Sequence, residues 1–355
     1  MKADFFIVGG GLAGSVLAWV LQQRGSKVLV FDAEPSMSCS KLAAGIINPV
    51  TGKRLVKSWR FEEFFAFAKN TYRQMERDLQ VDLFQPHRIF RAFPAASREG
   101  EESMELRNQW SMRLGDEAYA DLLAPIQSEP PEPGLFRTAP AYGCIRRAAR
   151  LNIPRLLDAV RKRIPFVRAL FDYGALQIQA EGVSYKEHSA SAVVFCEGYA
   201  MRENPWFGHL PLNPAKGHVL HLQMESAMYE QRYMYKDELY FVPLDAETVW
   251  CGSDYIWDFV DEWPQPERVQ ALRTRAESIW RKPYKTKGVF AAVRPTVKDR
   301  RPLLGRHPEQ ERLYILNGLG TKGSSLAPWC AAQMADLLLS DKAVDREVDI
   351  CRFGY

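Results

Sequence analysis

A glycine-rich turn between two apolar segments opens the chain and constrains its fold more than any other feature. Residues 5–8 are aromatic or β-branched and too few for a helix, so they predict a buried strand. Gly9, Gly11 and Gly14 follow with the spacing G-x-G-x-x-G, and residues 12–21 are apolar nearly all round. A second apolar strand then ends at Asp32. This order predicts a β-α-β unit of the dinucleotide-binding type.

The three glycines have separate physical roles in such a unit. Gly9 permits the tight turn, Gly11 lets backbone amides approach a pyrophosphate, and Gly14 lets the helix pack closely on the strand. The amino end of the helix favours negative phosphates. Asp32 is expected to accept a hydrogen bond from a ribose hydroxyl, and its charge would repel the 2′-phosphate of NADP. These residues leave the dinucleotide open between FAD and NAD.

The composition describes an ordinary soluble protein. The chain has 355 residues, enough for two domains, of which 46% are hydrophobic and 25% charged. A net charge of +4 does not by itself indicate a nucleic-acid partner. Six scattered cysteines without a C-x-x-C motif indicate a reducing compartment, and no apolar run reaches 18 residues. We therefore expect a cytoplasmic protein without a membrane span, and the histidine spacing suggests no metal site.

The order of elements predicts a divided α/β fold. Amphipathic helices are expected over 59–79 and 152–164, a doubly covered parallel strand over 191–196, and antiparallel strands between 213 and 260. The chain then returns to a strand, a glycine loop and a closing helix over 326–339. We predict a Rossmann-like cofactor domain split by a β-rich substrate domain with an antiparallel sheet. The expected bounds are 1–78, 140–212 and 288–355 for the cofactor domain, and 79–139 and 213–287 for the substrate domain.

Three further segments stand together with the opening turn. They are residues 40–49 (SKLAAGIINP), 293–305 (VRPTVKDRRPLLG) and 317–328 (NGLGTKGSSLAP). The combination resembles the D-amino-acid oxidase-like FAD-dependent oxidoreductases, a family that includes glycine oxidase, sarcosine oxidase and the oxidase domain of a bacterial tRNA-modifying enzyme. The resemblance runs from residue 4 to about residue 340, and it is weakest in the substrate domain.

The resemblance implies that the dinucleotide is FAD. Some sarcosine oxidases attach the flavin through a cysteine soon after the Arg-Pro pair, but residues 296–302 contain none, so we expect noncovalent FAD. The family more often has glutamate where this chain has Asp32, so the bond to the ribose is expected to be less direct. The expected cofactor-binding residues are Gly9, Gly11, Leu12, Ala13, Gly14, Asp32, Ala33, Lys41, Ala43, Ala44, Gly45, Gly198, Gly318, Gly320, Thr321, Lys322, Gly323 and Ser324.

Three residues are the candidates for contact with the substrate or the reacting end of the flavin. Arg294 of the Arg-Pro pair matches the arginine that holds the substrate carboxylate in the family, and its alternative is an ion pair with Asp299. Tyr240 matches the position of a substrate tyrosine, or is a core aromatic. Lys322 would add positive charge beside a helix end capped by Ser325, or lies in solvent.

The implied reaction is oxidation of a C–N bond in a small amino acid or secondary amine, with hydride transfer to the flavin and reoxidation by oxygen or another acceptor. A hydroxy acid would need a base such as His218 or His221. One alternative is an oxidase of tRNA side chains, motivated by the basic residues between 146 and 168. Another alternative is a flavin-binding protein without turnover. The oligomeric state stays open.

Overall fold

The computed structural model describes residues 1–35, 37–93 and 100–354. Residues 94–99 of the predicted substrate domain lie outside the described residues. The helices in the described part are α1 (Leu12–Gln23), α2 (Cys39–Leu42), α3 (Phe61–Leu79), α4 (Gly100–Leu114), α5 (Ile153–Arg163), α6 (Pro266–Ile279) and α7 (Gly323–Ser340). Short 3₁₀ turns occur at Glu117–Tyr119, Tyr173–Ala175, Gly198–Glu203 and Ile350–Phe353.

The strands form two large sheets and two small ones. In chain order they are β1 (Phe5–Val8), β2 (Val28–Asp32), β3 (Ile46–Ile47), β4 (Val50–Thr51), β5 (Val56–Lys57), β6 (Phe84–Phe93), β7 (Ala141–Leu151), β8 (Phe166–Arg168), β9 (Leu176–Gln179), β10 (Gly182–Tyr185), β11 (His188–Ala190), β12 (Ala192–Phe195), β13 (Ala215–Gln223), β14 (Tyr233–Lys236), β15 (Tyr240–Pro243), β16 (Thr248–Gly252), β17 (Lys285–Arg294), β18 (Leu303–Arg306) and β19 (Leu313–Asn317).

The opening strand lies inside a six-stranded sheet with the order β18-β19-β12-β1-β2-β8. Phe5 pairs with Ala192 on one side and with Val28 on the other, both in parallel. Only β18 runs antiparallel to its neighbour in this sheet. All four residues of β1 and of β12 are buried, as expected of parallel strands covered on both faces.

The second large sheet has eight strands in the order β17-β13-β16-β15-β14-β6-β7-β3. Its neighbours pair antiparallel except β14 and β6, which are parallel. The strand β3 follows the segment 40–45, so this sheet continues directly into the cofactor half of the chain. β9 to β11 form a separate antiparallel sheet, and β4 pairs with β5.

The helices α1, α3, α5 and α7 share one buried core with the six-stranded sheet. The α3 helix presents Phe64, Ala68, Tyr72 and Met75 to this core, which is the face that the spacing of its apolar residues predicts. Tyr72 is fully buried and donates a hydrogen bond of 2.9 Å to the Ser324 carbonyl in the first turn of α7. This hydrogen bond therefore fixes the first turn of α7 to α3.

The strand pairing crosses the predicted domain boundaries but does not define where each domain begins and ends. The strands β7 and β17 hydrogen-bond within the eight-stranded sheet, although most of their residues fall in the ranges 140–212 and 288–355 expected for the cofactor domain. The bounds of the two domains stay a prediction. Among the described residues, no helix is long and apolar enough to cross a bilayer.

Candidate functional site

A large cavity lies between the carboxyl ends of the parallel strands and one face of the eight-stranded sheet. Its volume is about 1960 Å³, roughly twice the upper end of the usual range for a small-molecule pocket. Residues that directly follow β1, β2, β12 and β19 line one side, and residues of β13, β15, β16 and β17 line the other. The cavity therefore has room for a dinucleotide and a second molecule.

The glycine turn places the amino end of α1 at the cavity. Gly9 has a φ of 101°, a left-handed conformation that favours glycine. A Cβ at Gly14 would collide with the carbonyl of Gly9, so Gly14 keeps the helix close to the strand. Gly11 stands at the amino end of α1 and offers no side chain to cap it. The Leu12 amide instead donates 3.0 Å to Ser40 Oγ, which reaches across from α2.

Asp32 orders the turn through backbone contacts. Its Oδ2 accepts from the Gly10 amide and its Oδ1 accepts from the Glu34 amide, each at 2.5 Å. Each carboxylate oxygen has a second lone pair, so Asp32 can accept a ribose hydroxyl as well. The carboxylate lines the cavity at the end of β2, where the dinucleotide fingerprint requires an acid.

The glycine loop after β19 delivers a second helix end to the cavity. Gly318 and Gly320 have φ values of 72° and 54°, and α7 begins at Gly323. The expected start near residue 326, with Ser325 as the cap, is wrong. Lys322 is the residue before the helix and makes no side-chain cap, while Ser325 Oγ donates back to the Lys322 carbonyl at 3.0 Å.

Lys322 is partly buried beside this helix end. Its Nζ donates to Ser58 Oγ at 3.2 Å. Burial lowers the pKa of Lys322, and the nearby Arg301 and Arg300 lower it further. The surroundings therefore disfavour the positive charge of Lys322, which makes the position suited to a ligand that carries or gains negative charge.

Arg294 lies at the end of β17 and points over the cavity wall. Its Nη2 donates 2.5 Å to Ser253 Oγ, and its guanidinium stands 4.3 Å from the ring centroid of Tyr255. The alternative ion pair with Asp299 is not formed, because that carboxylate pairs with Arg352 at 2.8 Å. Both Nη atoms also lie 3.4 Å from the Asp254 carbonyl, and the Asp254 carboxylate bonds His218. Within the described residues Arg294 forms no ion pair, so its charge is available to a ligand.

Tyr240 lies on the same wall, on β15. Its Oη accepts from Asn48 Nδ2 at 3.1 Å, which ties it to the segment that follows Gly45. Burial raises the pKa of Tyr240, so the hydroxyl keeps its proton at neutral pH. With one lone pair used by Asn48, this proton is free for donation to a ligand in the cavity.

The structure brings most of the predicted site residues together. Two of them, Gly14 and Lys41, do not line the cavity: Gly14 packs under the turn, and Lys41 Nζ donates to the carbonyls of Glu34 and Pro35. The others line it: Gly9, Gly11, Leu12, Ala13, Asp32, Ala33, Ala43, Ala44, Gly45, Gly198, Tyr240, Arg294, Gly318, Gly320, Thr321, Lys322, Gly323 and Ser324. Their roles toward a ligand stay predictions.

Several residues of the site were not predicted. Ser40 caps α1, Asn48 holds Tyr240, and Ser253 and Tyr255 hold Arg294. Ser40 and Asn48 belong to the segment 40–49, whose match to the family could have indicated them. Ser253 and Tyr255 lie in the least matched region, and nothing in their local sequence indicates a role.

Neither His218 nor His221, the histidines considered as bases, lines the cavity. His218 is fully buried, its Nδ1 donates to Asp254 Oδ2 at 3.0 Å, and its Nε2 accepts from the Gln265 amide at 3.1 Å. Gly217 and Val219 line the cavity, so His218 between them faces the other side of β13. In the described part of the chain, no three His, Cys, Asp or Glu side chains are grouped so as to hold a metal ion.

The basic stretch between 146 and 168 is not a continuous free cationic surface. Arg147 pairs with Asp121, Arg161 pairs with Glu34 at 2.8 Å, and Arg150 is buried. Arg163 and Arg168 also contact carboxylates, at 3.4 and 3.3 Å. These contacts give most of the stretch a structural role, and the RNA interpretation stays untested.

Comparisons with known proteins identify the family of the chain. The profile of a family described as DAO, FAD dependent oxidoreductase, matches residues 4–337. A curated glycine oxidase of Bacillus licheniformis is 24% identical over 359 residues, covering 96% of this chain and 94% of that protein.

Solved structures show the same fold. Glycine oxidase from Bacillus cereus ATCC 14579 has a TM-score of 0.78 at 21% identity, covering 98% of this chain and 99% of that chain. L-proline dehydrogenase from P. horikoshii has a TM-score of 0.75 at 15% identity, covering 99% of this chain and 98% of that chain. The predicted α/β fold, with an FAD-binding domain and β-rich sheets, is confirmed.

Proposed function

Because the chain belongs to the DAO family of FAD-dependent oxidoreductases, we propose that it oxidises a C–N bond in an amino acid or secondary amine whose carboxylate binds Arg294. The chain is an FAD-dependent enzyme, and the substrate class is the proposed part. The observation that carries this proposal is the unpaired guanidinium of Arg294 on the cavity wall that faces the cofactor side. The glycine oxidase relative supports the same class of substrate.

The cavity fits FAD. Gly11 places no side chain at the amino end of α1, where Ser40 Oγ accepts from the Leu12 amide and would stand 2.9 Å from a Cβ at Gly11. Gly9, Gly11 and Asp32 would hold the adenosine diphosphate part, and the loop 318–324 with segment 43–45 would hold the flavin part. When bound, FAD supplies the acceptor for the electron pair removed from the substrate.

Arg294 binds and orients the substrate in this proposal. A guanidinium presents two parallel donors to a carboxylate, which fixes the direction of the substrate as well as its affinity. Ser253 Oγ and the ring of Tyr255 hold the guanidinium from behind and from one side. The arginine is therefore ordered before the substrate arrives, and little of the binding free energy is lost in ordering it.

The Tyr240 hydroxyl is proposed to donate a hydrogen bond to the substrate. Its Oη is fixed by Asn48, and its raised pKa keeps the hydroxyl neutral. A neutral donor can bind a carboxylate without adding charge to the wall. No base among the described cavity residues is needed when the amine arrives unprotonated, and the buried His218 has both ring nitrogens in use.

Anaerobic reduction of the FAD-loaded protein tests the proposal. A panel of glycine, N-methylglycine, proline and other small amino acids should include at least one compound that bleaches the flavin absorbance. Matched amines without a carboxylate should be at least about tenfold less effective, because they cannot use Arg294. If no amine or amino acid reduces the flavin, a flavin-binding protein without turnover becomes the better interpretation. If hydroxy acids alone reduce it, the substrate class is wrong.

A further inference from the structure

Six charged side chains form a cluster beside Tyr240. Its members are Arg91, Arg137, Lys236, Asp237, Glu238 and Arg275. All of them except Arg137 line the cavity. The cluster plays no part in the function proposed above.

Two of its cations stand side by side on the cavity wall. Arg91 and Lys236 are paired positions of the parallel strands β6 and β14, so their side chains project from the same face of the sheet. Lys236 also pairs with Tyr240 across β14 and β15, and its Nζ lies 5.0 Å from the ring centroid of Tyr240. The two cations therefore extend the wall that carries the proposed substrate tyrosine.

The carboxylates of the cluster are already engaged by other arginines. Arg137 Nη2 lies 2.7 Å from Asp237 Oδ1 and 2.9 Å from Glu238 Oε1. Arg275 Nε lies 3.3 Å from the other oxygen of Glu238. Two carboxylates thus neutralise two arginines, and Asp237 is almost fully enclosed by these contacts.

Arg91 and Lys236 are left without a carboxylate of their own. Arg91 donates 3.1 Å to the Gly52 carbonyl, and Lys236 Nζ donates 2.7 and 2.6 Å to the carbonyls of Asp237 and Glu238. Neither forms an ion pair with a side chain of residues 1–35, 37–93 or 104–354. Two uncompensated cations on a partly buried wall are costly, and an anion that reaches them from the cavity would remove this cost.

We propose that Arg91 and Lys236 form a second anion-binding subsite, and that the natural substrate is an amine that carries a second carboxylate or phosphate group. This rests on the proposed function, in which Arg294 holds the first carboxylate. The sheet order places four strand steps between β17, which carries Arg294, and β14. At about 4.8 Å a step the two backbones are roughly 19 Å apart, but the side chains reach toward each other, because the Arg294 guanidinium stands against Gly217 of β13 and Lys236 Nζ lies over the ring of Tyr240 on β15.

The protonation of Lys236 gives the subsite a pH dependence. Burial is the main cause that lowers the pKa of Lys236 to about 7; Arg91 and Arg275 contribute to the decrease, and Asp237 and Glu238 oppose it. The ring of Tyr240 also faces the ammonium. A bound anion favours the charged lysine, so affinity for the second anionic group should fall as pH rises above about 7, with Arg91 retaining its charge.

Calorimetric titration of the FAD-loaded protein tests the subsite without turnover. The probes are α,ω-dicarboxylates from succinate to sebacate, the monocarboxylates of the same chain length, and the matching ω-phosphonocarboxylates. At least one bis-anionic probe should bind about tenfold or more tightly than its monocarboxylate. The tighter of the carboxylate and phosphonate series identifies which anion the subsite takes. If no bis-anionic probe exceeds its monocarboxylate, the proposal is wrong.

Three variants separate this subsite from the rest of the cavity. Arg91→Gln and Lys236→Gln should each abolish the advantage of the bis-anionic probes while monocarboxylates bind as before. Arg88→Gln is the matched control, because Arg88 is exposed on the same strand and does not line the cavity. If Arg88→Gln reduces the affinity advantage of the bis-anionic probes as much as Arg91→Gln does, the proposal is wrong.

The Arg294→Gln variant distinguishes failure of the subsite from failure of the proposed function. Weaker binding of monocarboxylates and bis-anionic probes alike supports both assignments. If Arg294→Gln leaves every probe unaffected while Arg91→Gln removes the advantage, the carboxylate role of Arg294 fails and the second subsite stands. If no substrate amine reduces the flavin but the advantage is present, the oxidation chemistry fails and the subsite again stands.

Discussion

The guanidinium of Arg294 occupies the space in which a side chain at Gly217 would lie. A Cβ built on Gly217 would collide with Arg294 Nη2 and would stand 2.7 Å from its Cζ. Gly217 pairs with Ala292 of β17, so it lies beside the strand that carries the arginine. The glycine therefore sets the position of the arginine through the absence of a side chain rather than through a bond.

Replacing Gly217 with alanine should displace Arg294 and weaken substrate binding. We expect KM for a carboxylate substrate to rise about tenfold to a hundredfold, the usual cost of disturbing a charge-assisted pair. The backbone of β13 needs no unusual conformation at this residue, so the fold should persist. Steady-state kinetics with the best substrate of the panel provides the measurement. An amine without a carboxylate serves as the control substrate, and an equal loss for both would contradict the assignment.

Replacing Gly11 with alanine should reduce the affinity for FAD. The new Cβ would lie 2.9 Å from Ser40 Oγ and would add bulk at the amino end of α1, where the pyrophosphate is proposed to bind. Ser40 is a small side chain that can move, so the thermal stability should change little while the FAD affinity falls about tenfold or more. Flavin absorbance per protein after gel filtration measures this. Gly115→Ala is the control, because its Cβ would meet only the Met112 carbonyl at an ordinary 3.6 Å.

Replacing Lys322 with methionine should lower the reduction potential of the bound FAD. Its positive charge at the start of α7 favours the more negative, reduced form of a cofactor placed there. We expect a decrease of roughly 30 mV, which is about 1.4 kcal/mol for two electrons. Spectroelectrochemical titration measures the potential, with the exposed Lys285→Met as control. An unchanged potential in Lys322→Met would place the lysine outside the flavin environment.

Glu197 should make the stability of the protein depend on pH. Its Oε1 accepts 2.5 Å from Tyr173 Oη and its Oε2 accepts 2.8 Å from Asn204 Nδ2, and burial raises its pKa to about 7. The folded form therefore holds a proton that the unfolded chain releases near pH 4.5. The stabilisation is complete below about pH 4.5 and is lost as pH rises to about 7, roughly 3 kcal/mol in total.

Denaturant unfolding at several pH values measures this effect. Glu197→Gln should remove the decrease between pH 4.5 and 7 relative to the wild type, whereas the exposed Glu181→Gln should retain it. The same pH profile in the wild type and Glu197→Gln would show that another group titrates.

The nucleotide unit was predictable because its residues obey local rules. The turn from Gly9 to Gly14 and the buried strands β1 and β12 depend on glycine conformation and apolar runs that a sequence displays directly. The α5 helix was equally evident: Asn152 Oδ1 accepts from the Arg155 amide at 3.3 Å, and Pro154 lies in the first turn.

Other elements depend on distant partners and could not be predicted. The strand β7 contains three arginines and adjacent alanines without alternation, and it is a strand because it pairs along almost its whole length with β6. Arg150, at the end of that strand, is buried although its type predicts exposure. The partners of Arg294 likewise come from residues 253–255, whose approach depends on the pairing of β13 with β16 and β17.

The segment around Gly45, which is proposed to hold the flavin part of FAD, is also bonded to the opposite wall of the cavity. The Leu42 carbonyl accepts 2.8 Å from Trp250 Nε1, and Asn48 donates to Tyr240. A cofactor that orders this segment should therefore also order the wall bonded to it. By thermodynamic linkage, a substrate that orders this wall should in turn favour binding of the cofactor. Occupancy of the substrate wall should slow escape of the dinucleotide, so the enzyme would retain its prosthetic group best while it is at work.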